Sequence, residues 1–215
     1  MPWIEQLRTA DWSLAGWLVL GAYALGCFTT GYYLVRWRTG RDIRDSGSGS
    51  VGAKNAGRIL GASGFMMTVA GDFAKGMFAV WVARHFTQDD RLIALAMLAV
   101  VAGHVWPAQW RFRGGKGIAT SLGALSLYDY HLAVAFLILF GAIFVVLRKT
   151  VLPGLFGFVC LPLVSMYLGH EPAKVVCISM LGVLVLATHR KNLQEEILQL
   201  AGRRQTNPKI NKREL

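Results

Sequence analysis

The stretch SGSGSVGAKNAGRILG, Ser46 to Gly61, contains no acidic residue and leads from one long apolar run, Ser13–Val35, into another, Ile59–Ala83. Its glycines let the backbone turn successive N–H groups toward one point, and Lys54 and Arg58 add positive charge. A loop of this kind holds anions, phosphate above all. Each flanking run reaches the roughly 20 residues that a helix needs to cross about 30 Å of hydrocarbon. Together they describe an anion cradle at the surface of a membrane-embedded helical bundle.

The composition agrees. The chain is 54% hydrophobic and only 16% charged, with a mean hydropathy of +0.42, against about 25% charged residues in a soluble domain. The sequence predicts an all-α membrane protein of seven transmembrane helices: Ser13–Val35, Ile59–Ala83, Leu92–Trp110, Ile118–Leu127, Leu132–Leu147, Leu152–Leu168 and Ala173–Thr188. The fourth is short, and reads either as crossing a thinned region or as a partly buried half-helix. All of 1–215 is expected to form one polytopic domain, with a short N-terminal segment, 1–12, and a basic tail, 193–215. Glu5, Arg8 and Asp11 precede the first apolar run without a small-residue cleavage pattern, so no signal peptide is expected. Cys27, Cys160 and Cys177 lie inside apolar runs without CxxC spacing. They read as small buried residues, and no metal site is expected.

Lysine and arginine set the orientation. Of the 23 such residues, 18 fall in Arg36–Arg58, Arg111–Gly117, Arg148–Lys149 and the tail from His189. Only Arg8, Arg84, Arg91 and Lys174 lie on the other side. Seven spans with the N-terminus outside and the C-terminus in the cytoplasm satisfy that asymmetry. A six-span reading, with the fourth fused or demoted, puts the last two connections on the wrong sides. Attraction to anionic lipid headgroups accounts for part of the basic excess. Nothing resembles a groove-reading or base-stacking module, so nucleic acid is not an expected partner. His85, His131 and His170 fall on the outer side and read as ordinary interface residues.

Three constellations share the cytoplasmic side. The first is the opening loop, with Gly47, Ser48, Gly49, Ser50, Gly52, Lys54, Asn55 and Arg58. Its GSGSVG matches the dinucleotide pattern letter for letter, but no strand precedes it and no βαβ unit surrounds it. It also misses the P-loop spacing, because Ala53 separates Gly52 from Lys54. The shared physics still applies, since turned amides ahead of a helix N-terminus attract phosphate; a plain glycine-rich turn is the alternative. The second is GHVWPAQWRFRGGKGIATSLG, Gly103 to Gly123. Here Pro107 interrupts an apolar span, and Arg111, Arg113 and Lys116 are interleaved with Gly114, Gly115 and Gly117. Lys116 sits just before a new span, where the helix dipole disfavours a cation; an anion held there would relieve the conflict. The third is HRKN, with His189 and Asn192, which alone would read as a positive stop at the membrane face. Within the second span, Asp72 and Lys75 are spaced i, i+3 for an ion pair facing the bundle, with substrate contact as a second reading. His104 reads as a packed residue satisfied by a local carbonyl or as support for the site.

These motifs in this order resemble the PlsY-type acyl-phosphate:glycerol-3-phosphate acyltransferases of bacteria. The resemblance is carried by DIRDSGSGSVGAKNAGR, Asp72 and Lys75, GHVWP with FRGGKGIAT, HRKN and the late AGRRQTNPKI. It implies a seven-helix membrane fold in the bacterial inner membrane, distinct from soluble acyltransferases with an HxxxxD motif, which the cytoplasmic loops lack. It also implies acyl transfer from acyl phosphate to the 1-hydroxyl of glycerol 3-phosphate, giving lysophosphatidic acid and phosphate for phospholipid synthesis. No cofactor, metal or obligatory protein partner is implied. Ser48, Arg58, Lys116, His189 and Asn192 fall on the family's functional positions.

The chain departs from the family pattern at Ser50, usually Asn, at Lys54, usually Thr, and at Ala56–Gly57, usually an aliphatic pair. These differences leave open a related acyl transfer with another acceptor or donor. An anion transporter is the competing class, but it calls for an internal repeat and mid-membrane charge beyond Asp72 and Lys75.

Overall fold

The structure, a computed structural model, describes residues 11–200; the segment 1–10 and the end of the basic tail, 201–215, with its AGRRQTNPKI motif, lie outside the described residues. Every regular element among the described residues is helical. The helices are α1 (Trp12–Cys27), α2 (Thr30–Thr39), α3 (Ala53–Phe86), α4 (Asp90–Val105), α5 (Ile118–Tyr128), α6 (Tyr130–Leu147), α7 (Val151–Tyr167) and α8 (Pro172–Leu200). Short 3₁₀ turns at Ile43–Asp45 and Ala108–Trp110 stand in the two glycine-rich loops. Five helical stretches are long and apolar enough to cross a membrane: 12–39, 53–86, 90–110, 130–147 and 172–190. The helices α5 and α7 are apolar but shorter.

Two interfaces show how the bundle closes. In the α1–α4 contact, a Cβ on Gly26 would stand 2.2 Å from the Val100 carbonyl oxygen, and one on Gly103 would stand 2.1 Å from that of Tyr23. The α3–α5 contact repeats the device with Gly76 against Thr120 and Gly123 against Phe73. Small residues let backbones meet at this distance, which is how membrane helices gain packing without a hydrophobic drive. The main core runs through α1 and through α3 to α8, with Val80, Met97, Leu125, Leu132, Phe158 and Leu181 fully buried. A second, small core of Val35, Ile43, Val51 and Ala56 lies beneath the first glycine loop. Outward-facing Val134, Leu137, Ile138, Val145 and Val146 give α6 the exposed apolar face of a helix against lipid.

Several spans differ from the sequence reading. The first is broken at Phe28–Thr29, so Ser13–Val35 is divided between α1 and α2. The second does not run straight from Ile59: Gly61 has φ +73°, ψ −163°, a region open in practice to glycine alone. The chain folds back there, and a Cβ on Gly57 would meet that of Phe65 at 3.0 Å. The third ends at Val105, with Trp106–Trp110 leaving the helix ahead of and after Pro107. The last continues past Thr188 to Leu200. Cys27 is buried, but Cys160 and Cys177 are only partly so, and all three are free thiols.

Candidate active site

Asn55 builds the first loop. It is 1% exposed, and its Nδ2 donates to the carbonyls of Ile43 at 3.0 Å, Ser46 at 2.9 Å and Ser50 at 2.9 Å. Its Oδ1 accepts from the Ser48 N–H at 3.1 Å. The loop therefore wraps around one amide side chain. Gly47 has φ +59°, and a Cβ there would fall 2.2 Å from Asn55 Oδ1 and 3.6 Å from Arg58 Cδ. Glycine at 47 thus sets Ser48 and Arg58 beside the same turn. The Gly49 N–H donates to the Ser46 carbonyl at 3.1 Å and the Gly52 N–H to Ser50 Oγ at 3.3 Å. These two amides close the loop on itself. Helix α3 then starts at Gly52 without a side-chain cap.

The second loop is fastened to the first and to the broken helix. Arg44 pairs with Asp42 at 2.6 Å, reaches the Trp110 carbonyl at 3.4 Å and lies over the rings of Tyr32 and Trp110. The Arg44 hydrogen bond holds the Asp42 carboxyl below its ordinary range. Gln109 donates to the Cys27 carbonyl at 2.6 Å. Arg111 and Phe112 both take left-handed φ, 54° and 60°, which returns the chain along the end of α4. There the Gly114 and Gly115 N–H groups donate to the Val105 and His104 carbonyls, each at 3.0 Å. Gly49, Gly52, Gly114 and Gly115, expected from the sequence to offer amides to phosphate, therefore spend them on shaping the two loops.

The intramembrane charges support this arrangement. Asp72 and Lys75 form the ion pair that their spacing calls for, at 2.9 Å. Lys75 Nζ also donates to the Phe28 and Gly26 carbonyls at 2.7 and 3.2 Å, and Asp72 accepts from the Thr30 N–H at 3.4 Å. The pair thus satisfies backbone groups freed by the α1–α2 break, which lipid cannot do. His104 is satisfied by Lys75 Nζ, 2.8 Å from its Nδ1, not by a local carbonyl. With a lysine donating to Nδ1, the neutral ring carries its proton on Nε2. That nitrogen lies so close to Gly115 that a Cβ there would be 2.0 Å away. One buried cluster therefore braces both the helix break and the loop that carries Lys116.

Lys116 donates to Asn192 Oδ1, and its carbonyl accepts from Thr188 Oγ1 at 3.0 Å. His189 is 3% exposed; its Nδ1 lies 2.9 Å from the Val185 carbonyl, so Nδ1 carries the proton and Nε2 the lone pair. Lys116 and Lys54 both lie within electrostatic range of that ring. Lys54 Nζ in turn donates to Thr150 Oγ1 at the start of α7. Lys54, Lys116, His189 and Asn192 are thus brought together from three distant parts of the chain. Arg58, Ser48 and Arg113 are exposed; among the described residues their side chains make no hydrogen bond or ion pair. Sequence reasoning missed Thr150, Thr188 and the Arg44–Trp110 link. Thr188 adjoins HRKN and Thr150 follows a basic pair, which are the only local hints. Among the described residues no group of His, Cys, Asp and Glu has the makings of a metal site.

Fold and site together define a multi-pass membrane protein that gathers lysines, a histidine and an asparagine beside a glycine loop at one end of its bundle. The chain belongs to the glycerol-3-phosphate acyltransferase family, whose model matches residues 16–199. It is 39% identical to a glycerol-3-phosphate acyltransferase 1 of Desulfitobacterium hafniense strain Y51, over 87% of this chain and 93% of that one. It is 34% identical to a glycerol-3-phosphate acyltransferase 1 of Bacillus anthracis, over 78% of this chain and 89% of that one. Among solved structures it is similar to PlsY (YgiH), an integral membrane glycerol 3-phosphate acyltransferase. The glycerol 3-phosphate form matches with a TM-score of 0.79 and 31% identity, over 88% of this chain and 93% of that one. The lysophosphatidic acid form matches with a TM-score of 0.76 and 29% identity, over the same shares of 88% and 93%.

Proposed function

We propose that this protein transfers a fatty acyl group from acyl phosphate to the 1-hydroxyl of glycerol 3-phosphate, releasing lysophosphatidic acid and inorganic phosphate. The observation that carries the reading is the convergence of Lys54, Lys116, His189 and Asn192 beside a glycine loop stapled by Asn55. Both substrates carry phosphate. Two unit charges about 6 Å apart repel by about 3 kcal/mol at an effective dielectric of 20, and each phosphate carries more than one. Lys54, Lys116 and Arg58 oppose that repulsion, with Arg58 able to bind in bidentate fashion. Arg113 and the amides of Gly47, Ser50 and Gly117 complete the cradle, whose shape Gly49, Gly52, Gly114 and Gly115 maintain. The 1-hydroxyl oxygen attacks the acyl carbonyl carbon, and the bond from that carbon to the phosphate oxygen breaks. Ser48 and nearby amides stabilise the oxyanion. The hydroxyl proton passes to the departing phosphate, while the lone pair on His189 Nε2 and the Asn192 amide orient the acceptor. Acyl phosphate is already activated, so the scheme draws on no metal or cofactor and on no obligatory protein partner.

The charge asymmetry supports seven spans in a bacterial inner membrane, with the N-terminus outside and the site at the cytoplasmic surface. On this reading α5 counts as a crossing. It starts beside Lys116, and the Tyr128 carbonyl at its far end accepts from Arg84 at the end of α3. At about 1.5 Å per residue it is roughly 16 Å long, which calls for a thinned bilayer around it.

The test mixes purified protein with palmitoyl phosphate and glycerol 3-phosphate and follows phosphate release with and without the acceptor. Acceptor-dependent release is expected, along with lysophosphatidic acid. Arg58→Ala and Lys116→Ala are each expected to lower kcat/KM by at least about 100-fold while the protein still inserts. His189→Gln separates the proton routes: a residual rate within about 10-fold is expected here, whereas general-base loss runs to about 10²–10⁴-fold. A fully active double variant at 58 and 116 would sink the scheme.

A further inference from the structure

Lys54 stands in an electrostatically awkward place. Its Nζ donates to Thr150 Oγ1 across 96 positions of chain, tying the second residue of α3 to the turn between α6 and α7. Neither Gly52 at the start of α3 nor Thr150 at the start of α7 caps its own helix with a side chain. A cation beside helix N-termini is opposed by their dipoles. Among the described residues no carboxylate lies within ion-pair distance of Lys54; the Glu196 carboxylate accepts from the Leu152 N–H, in the first turn of α7, at 3.3 Å. A threonine hydroxyl is a neutral acceptor and cancels no charge. The side chain is exposed, and its four-carbon stem lets the ammonium swing.

We propose that Lys54 is a relay cation, parked on Thr150 when the site is empty and handed to a substrate phosphate when one arrives. The parked bond is weak because its acceptor is neutral: a hydroxyl holds the ammonium in place but gives way to a dianion, for which the hydrogen bond is charge-assisted on both sides. Thr150 and phosphate then compete for one ammonium. Removing the lysine must weaken phosphate binding, whereas removing the hydroxyl must strengthen it. A mere strut between α3 and α7 makes a different forecast, because breaking it from either end has the same effect. The identity of the phosphate, donor or acceptor, rests on the acyltransferase reading; the competition itself does not.

The experiment uses the full chain in detergent, with inorganic phosphate as the probe and chloride at matched ionic strength as the control. Binding is read by isothermal calorimetry and by thermal shift. Lys54→Met is expected to raise the phosphate Kd about 10-fold, and Thr150→Val to lower it about 2- to 5-fold. Thr150→Ser keeps the hydroxyl and is expected to behave as the native chain. Steady-state KM values for palmitoyl phosphate and glycerol 3-phosphate then name the source, since the one that rises in Lys54→Met identifies the phosphate received. The proposal is overturned if both substitutions shift Kd in the same direction. It is equally overturned if they lower the melting temperature with Kd unchanged, or if Kd rises in Lys54→Met while neither KM does. A native chain that binds phosphate in this pattern yet transfers no acyl group would remove the acyltransferase reading and leave the relay standing.

Discussion

Lys116, like Lys54, stands at a helix N-terminus, and a side-chain amide is among its partners. It lies two residues before α5, where the helix dipole opposes a cation, yet the ammonium is held by Asn192 Oδ1. An amide oxygen orients the ammonium without cancelling its charge. Asn192→Asp keeps the size and the acceptor and adds one negative charge at that contact. The expected outcome is a rise of about 10-fold or more in KM for a phosphate substrate, largest at low ionic strength. Asn192→Ala, which leaves the charge and removes only the orienting bond, is expected to cost less in KM and more in kcat. Steady-state kinetics at about 20 and about 200 mM salt check both, since screening differs strongly between them. If Asn192→Asp and Asn192→Ala behave alike at both salt concentrations, charge at position 192 has no bearing on phosphate binding.

At the scale of the element, the first loop depends on one buried side chain. Asn55 satisfies three carbonyls and one N–H from a segment with no regular ladder of its own. Asn55→Ala strands those groups over the small core of Val35, Ile43, Val51 and Ala56. The expected cost is about 2–4 kcal/mol, seen as a lower melting temperature and faster proteolysis at Ser46–Gly52. Asn55→Asp cannot donate and is expected to fail similarly; a melting temperature equal to the native one in both would remove the staple. That this segment is a loop was legible in the sequence, because a glycine-dense polar stretch between apolar runs does not continue a membrane helix. The helices were legible as apolar stretches, but their breaks were not. Neither Phe28–Thr29 nor Gly61 carries a proline, and an isolated glycine in an apolar run is ordinarily tolerated. The first break is satisfied by Lys75, whose bond to the Phe28 carbonyl spans 47 positions, which no local pattern reports. Thr150 stayed hidden for the same reason, since the ammonium its hydroxyl receives comes from 96 positions away. The loop amides show a different limit: a glycine-rich sequence shows that N–H groups can turn, not which neighbouring acceptors they meet in the fold.

Across the whole molecule, the two ends of the bundle treat charge in opposite ways. The glycine-loop end gathers cations around His189, whereas the far end gathers pairs around one buried carboxylate. Asp129, 8% exposed, caps α6 by accepting from the His131 and Leu132 N–H groups at 3.0 and 3.2 Å. It also meets Lys174 at 2.7 Å and His170 at 3.2 Å, and Lys174 lies 3.9 Å from Asp90. The α5–α6 corner is thereby tied to the α7–α8 turn. Burial alone raises the Asp129 pKa; the Lys174 hydrogen bond, the Leu132 N–H, and the charges of Lys174 and His170 outweigh it and hold the carboxyl below its ordinary value. A depressed folded-state pKa means that the stabilisation is complete above the unfolded value, about 4, and is lost as pH falls through the folded one. Asp129→Asn leaves Lys174 facing a neutral amide in a largely buried place. It is expected to lower stability by about 2–4 kcal/mol at neutral pH. The gap between native and variant melting temperatures is expected to narrow below about pH 4, where the native carboxyl takes up its proton. Thermal melts of both chains across that range, in one detergent, make the measurement. A gap that persists undiminished to about pH 2, below the ordinary carboxylate range, would mean that hydrogen-bond geometry, and not the carboxylate charge, holds the corner together.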